Sequence, residues 1–544
     1  MRSDLQSAVE SALRSLGIEP PATIPFERPR QEGHGDLTTT VAMVLAKSLR
    51  RNPRELAAQI VGKLGLDPAR VAKVEIAGAG FINFTLTEGY FRDQLRDLIR
   101  AGDRYGRSEA GNAKRVQVEF VSANPTGPLT VGHGRGAVFG DTVARLLEWT
   151  GHGVEREYYF NNAGRQMRIL GDSVRLRYLE LLGDTIAFPE DYYQGEYIRD
   201  IARHLADGAG DALRAEPAEG RFKEQAEKEI FADIRKTLER LGVRFDHYFN
   251  EHSLYTDGKI DDVIAAFRAR DLVYEQEGAL WFKTSALGLE KDKVIVKGTG
   301  EPTYRLPDIA YHREKFARGF DLMIDIFGAD HIATYPDVLA GLKALGLDPS
   351  RVKVLIHQFV TIVQGGEVVK MSTRKANFIT LDELIDEVGS DAVRYFFNMR
   401  TITSHMNFDL DLAKKQSDEN PVYYLQYAHA RICSILRYAE ELGVKDLAAE
   451  ADLALLTAAE EMALVKAVLS FPEVLESCAM THEPHRLAEY LQALAGTFHS
   501  FYGVHRVVGD DARVSAARLA LVKSVQIVIR NGLSVLGVSA PERM

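Results

Sequence analysis

The stretch from Val116 to Phe160 leaves this chain few folds to choose from. Val116-Gln117-Val118-Glu119-Phe120-Val121 is β-branched or apolar with polar interruptions and reads as a buried strand. Residues 122–130 carry Ser, Asn, Pro, Thr and Gly, a turn composition. From Val131 onward Ala137, Val143, Ala144, Leu146 and Leu147 recur at helical spacing until Gly151 supplies a C-terminal cap, and Val154 to Phe160 reads as a second strand. A strand–loop–helix–strand unit of this kind belongs to dinucleotide-type α/β folds, where ligands sit at the carboxyl ends of the strands and at the helix N-terminus. Gly132, Gly134 and Gly136 let backbone approach a ligand closely, and His133 in the first turn can donate a further hydrogen bond. Orphan N–H groups and the positive dipole end favour a phosphate there. His-Gly pairs also open helices that bind nothing, so this segment alone leaves a nucleotide site and a plain helix start both open.

A second segment, Lys370-Met371-Ser372-Thr373-Arg374-Lys375, packs three cations into six residues. Taken alone it is a surface loop or a phosphate-handling one. Beside the first segment, cations closing over the β- and γ-phosphates of a nucleotide fit better, because phosphoryl-type chemistry needs mainly positioning and charge neutralisation.

Together the two segments resemble the nucleotide motifs of class I aminoacyl-tRNA synthetases. Within that class the chain is similar to the arginyl-tRNA synthetases over essentially all of its 544 residues. The likeness is carried by the run from Glu119 to Leu129, by Arg156-Glu157-Tyr158-Tyr159-Phe160-Asn161-Asn162-Ala163-Gly164, by the run from Pro302 to His312, and by Phe327-Gly328-Ala329-Asp330-His331. The resemblance implies a multidomain α/β protein: a Rossmann-like class I catalytic domain, a small N-terminal α/β domain and a C-terminal all-α helical bundle. It implies activation of L-arginine by ATP with Mg2+, transfer of the arginyl group to tRNA(Arg), and a first step that requires bound tRNA. By the same likeness Thr130, His133, Lys370 and Lys375 are catalytic, and Gly132, His133, Gly134, Asp330, His331, Lys370, Met371 and Ser372 bind ATP. Glu119, Ser122, Asn124, Tyr304 and Asp308 bind arginine, with Glu119, Tyr304 and Asp308 at the guanidinium and Asn124 at the α-amino end. A guanidinium is always charged and presents planar donors, so carboxylates and a hydroxyl suit it. Asp308 also reads as a first-turn acid on a helix, and Tyr304 as core. Three positions depart from the family pattern: Thr130 stands where His is usual, Asn162 where Asp is common, and Thr373 where a second Lys is usual. Threonine keeps a hydroxyl and is a good N-cap.

Three domains are expected. Residues 1–105 open with a helix capped at Ser3, its apolar face reading Leu5, Val9, Ala12, Leu13 and Leu16. A second helix near 37–49 and a strand at Phe81-Ile82-Asn83-Phe84 complete a small module that resembles the family's D-loop-recognising domain. Phe81 and Asn83 match its base-stacking and base-bonding pair, with core packing the rival for Phe81. Residues 114–405 form the catalytic domain, interrupted near 165–250 by a helical, charged insertion. Within that insertion Tyr192 to Tyr197 reads either as an acceptor-stem contact or as a solvent-facing turn. Residues 410–544 are almost wholly helical and resemble the anticodon-binding bundle, with one helix around Leu425, Ala428 and Ile432 and another through Leu519, Val522, Val525 and Ile529, closing at Gly532. Tyr427, His429 and Arg431 are its candidate tRNA contacts.

Composition sets bounds. With 46% apolar residues the chain can build several ordinary cores. The reading expects a monomer in the cytoplasm, with no membrane span and no leader. Two cysteines, Cys433 and Cys478, argue against a disulfide framework, and the Cys478, His482, His485 grouping reads as surface, so no metal site is expected. A net charge of −10 does not exclude RNA, since phosphate contacts depend on local clusters such as Lys47, Arg50, Arg51 and Arg54, or Arg156, Arg165 and Arg168. Two alternatives stay open: a non-catalytic tRNA-binding relative, and another nucleotidyltransferase of the same fold, which would not need the two terminal domains.

Overall fold

A computed structural model describes residues 2–29, 33–162, 164–329, 332, 334–369, 379–443 and 451–544. Lys370, Met371, Ser372, Thr373, Arg374, Lys375, Asp330 and His331 lie outside the described residues. The chain forms two compact units. One comprises residues 106–431, 471–495 and 529–544; the other comprises 1–105, 432–470 and 496–528.

The larger unit is built on five parallel strands: β1 (Arg115–Glu119), β2 (Gly153–Phe160), β3 (His247–Asn250), β4 (Leu322–Gly328) and β5 (Val352–His357). Their spatial order is β5-β4-β1-β2-β3. The chain reverses direction across the sheet beside β1, so β1 and β4 flank the topological switch point where such sheets bind ligands. Helix α1 (Val131–Trp149) connects β1 to β2. It ends in a Schellman arrangement, with Gly151 at φ 83°, its N–H bonded to Glu148 O and that of His152 bonded to Leu147 O. The expected insertion is helical, with helices Gly164–Leu181, Glu196–Ala209 and Lys223–Arg240. Helix α2 (Arg305–Ala317) lies between a three-stranded antiparallel sheet and β4, and α3 (Tyr335–Ala344) leads to β5.

Register across the sheet dictates much of the chemistry. Glu119 pairs with Asp325 of β4 on one side and with Glu157 of β2 on the other. Residues in register on parallel strands face the same way, so three carboxylates stand in a row on one face of the sheet. All three are buried. Such a row folds only if cations cover it, and α2 supplies them.

In the smaller unit the first helix, Arg2–Ser15, buries Leu5, Val9, Ala12 and Leu13 as the periodicity predicts. It starts ahead of Ser3, so Ser3 is not its cap, and Gln6 bonds forward to Glu10. Leu37–Thr39 is a buried strand and not a helix start, because it pairs with Ile82–Phe84; the helix runs Val41–Leu49. Strand Phe81–Leu86 lies where expected in a four-stranded antiparallel sheet.

The C-terminal helices are Pro421–Glu441, Ala459–Leu469, Phe471–Thr481, His485–Val504 and Ala512–Leu536. The last runs straight through Gly532 and stops before Gly537, whose φ is 69°. Gly532 serves packing instead: a Cβ there would come within 2.6 Å of Leu491. Among the described residues this helix alone is long and apolar enough to cross a membrane, and 83% of its apolar window is buried inside the protein. Both cysteines are free and buried, and burial pushes the Cys478 thiol up to about 12.

Candidate active site

The site begins where β1 ends. Beyond Glu119 the backbone turns sharply, with Val121 at φ 67° and Ser122 at φ 40°. A β-branched residue in the left-handed region costs about 1–3 kcal/mol and persists only where surrounding bonds enforce it. Those bonds are present. The Ser122 N–H donates to Phe120 O at 2.9 Å, its Oγ donates to Glu119 Oε1 at 2.9 Å, and the same Oγ accepts from the Tyr159 N–H at 3.1 Å. Ser122 thus aims the Glu119 carboxylate and stitches the turn to β2.

Helix α2 covers the carboxylate row. Asp308, His312 and Lys315, at spacings of four and three, share its inner face. Lys315 Nζ donates to Glu119 Oε2 and to Asp325 Oδ1, both at 2.6 Å, and lies 4.4 Å from the Tyr311 ring centre. Although fully buried, its ammonium is held well above its usual pKa, because Asp325 and Glu119 more than offset the burial penalty. His312 sits between the Asp308 carbonyl and the Asp325 carboxylate at 2.8 Å each. Burial and Lys315 lower its pKa and Asp325 raises it, for a net upward shift, and with an acceptor at each ring nitrogen the ring is placed as a double donor. Glu157 accepts from Gln117, Tyr311, Arg318 and His247, and Arg318 with its neighbours keeps its pKa low despite burial.

Two carboxyls lack that compensation. Burial, with Glu119 and Glu251 nearby, pushes Asp308 up to about 7. Burial also raises Glu251, which follows β3 and faces Tyr159 and Tyr255. Four carboxyl groups (Glu119, Asp325, Asp308, Glu251) therefore meet two internal cations (Lys315, His312). The arrangement is short of positive charge, and a bound monocation would supply it. A narrow cavity beside it is lined by Asp308, His312, Asp325, Phe327, Thr334 and Tyr335.

The loop that follows Glu119 leads into the start of α1. Thr130 is the N-cap of α1 and His133 its third residue. The Thr130 N–H donates to His133 Nδ1 at 3.1 Å, and the Thr130 hydroxyl lies 3.2 Å from the same nitrogen. An Nδ1 that accepts fixes the neutral tautomer with its proton on Nε2. Thr130 thus acts as the cap. A Cβ on Gly132 would meet the Thr130 hydroxyl in ordinary contact at 3.7 Å, whereas Gly134 serves packing: a Cβ there would meet Leu381 at 2.5 Å. The neighbour is helix Leu381–Val388, which opens with a capping box between Thr380 and Glu383. Leu381 N–H bonds to Leu129 O at 2.8 Å, and Thr130 pairs with Thr380. Thr380 lies five positions beyond Lys375 in sequence. The buried Arg135 reaches from α1 to donate to the carbonyls of Gln358, Thr401 and Ser404 at 2.8–2.9 Å.

Several sequence-predicted residues fall elsewhere. Asn124 lies on the loop after β1 and donates to Gln166 Oε1 at 2.5 Å. Tyr304, at the start of α2, is 75% exposed and is not core. Asn162 donates to Glu227 at 2.9 Å, a contact an aspartate would turn into repulsion. Arg156 is spent on Glu148 and Asp141, so it leaves the proposed RNA-facing cluster. His429 is 1% exposed and bonded to Pro541 O, which removes it from any open tRNA face; burial by the C-terminal segment is the reason. Tyr427 stays exposed, stacked on Tyr423 and capped by Arg431. Phe81 is partly exposed, while Asn83 is 6% exposed within its sheet. Among the described residues the grouping closest to metal-ligand geometry is Glu155, Glu157 and His247, and Arg318 already neutralises it.

Sequence reading missed His312, Lys315, Asp325 and Glu251. The signal for the first two was available: polar residues at 308, 312 and 315 share the face of a helix whose other inward positions are Leu306, Ile309 and Ala310.

The comparisons with known proteins agree with this geometry. Residues 3–86 match the family model for the arginyl tRNA synthetase N terminal domain, 94–407 that for the catalytic domain of class I (R) tRNA synthetases, and 425–544 that for the DALR anticodon binding domain. The arginine–tRNA ligase of Desulfotalea psychrophila is 56% identical over 521 residues, covering 95% of this chain and 94% of that protein. That of Chlorobaculum parvum is 51% identical with both chains covered completely. The arginyl-tRNA synthetase structure from Thermus thermophilus superposes over the whole of both chains with a TM-score of 0.78 at 23% identity, a likeness of fold. A β1–β4 switch point with an acidic pocket and a capped helix start, full-length relatives and three consecutive family matches lead to one conclusion: the chain belongs to the arginyl-tRNA synthetases of class I.

Proposed function

We infer that the protein is an arginine–tRNA ligase that activates L-arginine with ATP and transfers it to the 3′-terminal adenosine of tRNA(Arg). The observation that carries this is the pairing of a cation-deficient acidic pocket with a phosphate-facing helix start at one switch point. Asp308, Glu119 and Glu251 receive the guanidinium, Ser122 holds Glu119 in place, and Asn124 takes the α-amino end. Tyr304 swings in from solvent to cover the substrate. The arginine carboxylate then attacks the α-phosphorus of ATP, an oxygen–phosphorus bond forms, and pyrophosphate leaves. His133 Nε2–H stabilises charge on the α-phosphate, Gly132 and Gly134 lie along the nucleotide, and Asp330 and His331 complete its site. Lys370, Met371, Ser372 and Lys375 attend the β- and γ-phosphates, where charge neutralisation lowers the barrier. Mg2+ enters with ATP as part of the substrate.

In this reading residues 1–105 recognise the D-loop through the exposed Phe81, with Asn83 buried in the strand behind it. Residues 114–405 catalyse, and 410–544 bind the anticodon with Tyr427 and Arg431 outermost. The enzyme acts as a cytoplasmic monomer, and tRNA binding is required for activation. The capping box explains Thr130 without loss of the phosphate-facing helix start, so its departure from the family pattern gives no reason to prefer a non-catalytic relative. The test is arginine-dependent pyrophosphate exchange with and without tRNA. Exchange only with tRNA supports the whole reading, exchange without it removes the tRNA requirement, and no exchange in either case sinks the assignment.

A further inference from the structure

The loop between β1 and α1 makes few hydrogen bonds within itself. Ser122 N–H to Phe120 O and Thr126 N–H to Asn124 O at 2.7 Å are its own turns. Side chains hold two more of its carbonyls: Tyr158 OH donates to Ala123 O at 2.7 Å, and Tyr197 OH donates to Thr126 O at 2.6 Å. Tyr158 belongs to β2 and is part of the sheet. Tyr197 is different, since it opens the insertion helix Glu196–Ala209, more than 70 residues along the chain.

The fit around Tyr197 is close. A Cβ on Gly127 would lie 2.8 Å from the Tyr197 hydroxyl, and a Cβ on Gly195 would lie 2.2 Å from its ring. Both glycines therefore leave room for this one side chain. Tyr193, four residues earlier in the loop before that helix, lies beside the Thr126 side chain and is itself anchored through its N–H to Ser173 Oγ at 3.2 Å. Gln166, on the insertion's first helix, accepts from Asn124. Three insertion residues thus grip Asn124, Thr126 and Gly127. Within the segment Tyr192 to Tyr197, Tyr197 is thus turned onto this loop and Tyr193 onto the insertion's first helix.

We propose that Tyr197 is a positioning residue for the amino-acid site: through the Thr126 carbonyl and the slot at Gly127 it ties the insertion to the loop that presents Ser122 and Asn124. The proposal rests on the reading that this loop binds arginine. It makes the insertion's placement, and hence whatever occupies the insertion, a determinant of arginine affinity and not of ATP affinity.

The experiment uses the full-length protein with Tyr197→Phe, which keeps the ring and removes only the hydroxyl, and Gly127→Ala, which crowds the same hydroxyl from the loop side. Expected for each is a rise in the arginine KM of about five- to tenfold, the loss of one buried hydrogen bond, with kcat and the ATP KM within about twofold. The double variant is expected to be no worse than the more affected single one, since both break one contact. Amide hydrogen exchange over residues 126–130 is expected to accelerate in both. An arginine KM and loop exchange both unchanged in Tyr197→Phe would overturn the proposal, as would equal losses in arginine and ATP parameters, which mark general damage. If the wild-type protein charged no tRNA with arginine, the functional reading would fall, and the exchange measurement would still decide whether Tyr197 holds the loop.

Discussion

Lowering the pH should weaken arginine binding through one carboxyl. Without substrate, Asp308 is pushed up to about 7 because it is buried beside Glu119 and Glu251. A guanidinium bound there stabilises the ionised form, so binding below that value must expel a proton. The ionised fraction of a group with that pKa is about 0.9 at pH 8 and about 0.1 at pH 6, so the arginine KM should rise about tenfold across that interval, or ~1.4 kcal/mol. Above pH 8 it should be flat. The substrate's guanidinium and α-amino group keep their charges over the same range, so the slope belongs to the protein. Pyrophosphate exchange against arginine concentration at pH 6, 7 and 8 gives the slope. Calorimetry in two buffers of different ionisation enthalpy should count about 0.9 proton released per arginine at pH 6. Asp308→Asn removes the titration, so it should bind arginine about 10- to 100-fold more weakly with no slope, reflecting one lost charge-assisted hydrogen bond. A flat wild-type profile would refute the reasoning. A slope that survives in Asp308→Asn would assign the proton to His312 instead.

Lys315→Met should lower unfolding free energy by about 3–5 kcal/mol, read from urea denaturation, because it removes the ammonium between two adjacent buried carboxylates and leaves Glu119 only Ser122 and Asp325 only His312. Gly134→Ala should cost about 1–3 kcal/mol in the same assay, since its Cβ would press on Leu381 at 2.5 Å; a neutral result would show that helix Leu381–Val388 yields easily. Thr130→Ala should lose about 1 kcal/mol of stability as a missing cap. His133→Ala, by contrast, should slow exchange at least about a hundredfold by removing a donor to the reacting phosphate. Equal rate losses in both would mean that Thr130 does more than cap.

Much of the fold was legible where local rules act. The strand before Ser122, the helix capped by Thr130 and stopped by Gly151, and the helical insertion all carry their own periodicity and termini. Short or crowded features were not. Leu37–Thr39 is too brief to show alternation, and only its pairing with Phe81–Leu86 makes it a strand. Gly532 looks like a stop signal, yet Leu491 demands the missing side chain in mid-helix. Candidate residues Glu119, Ser122 and Asp308 were recognised from family motifs. The floor beneath them was not, because Lys315 meets Glu119 across 196 positions and only the parallel register brings Asp325 alongside. A fully buried lysine is also the residue that composition argues against most strongly.

The bonds from Leu129 and Thr130 to Leu381 and Thr380 have a consequence for how the nucleotide end of the site is charged. Two helix starts lie side by side there, and that of α1, with no acid in its first turn, carries roughly half a unit of positive charge on its backbone N–H groups. That charge has no pKa and no rotamer, and substitution of a lysine in the 370–375 segment does not remove it. Loss of those cations should therefore slow the reaction far more than it weakens ATP binding, because the attraction that brings the triphosphate in is written in the peptide groups themselves.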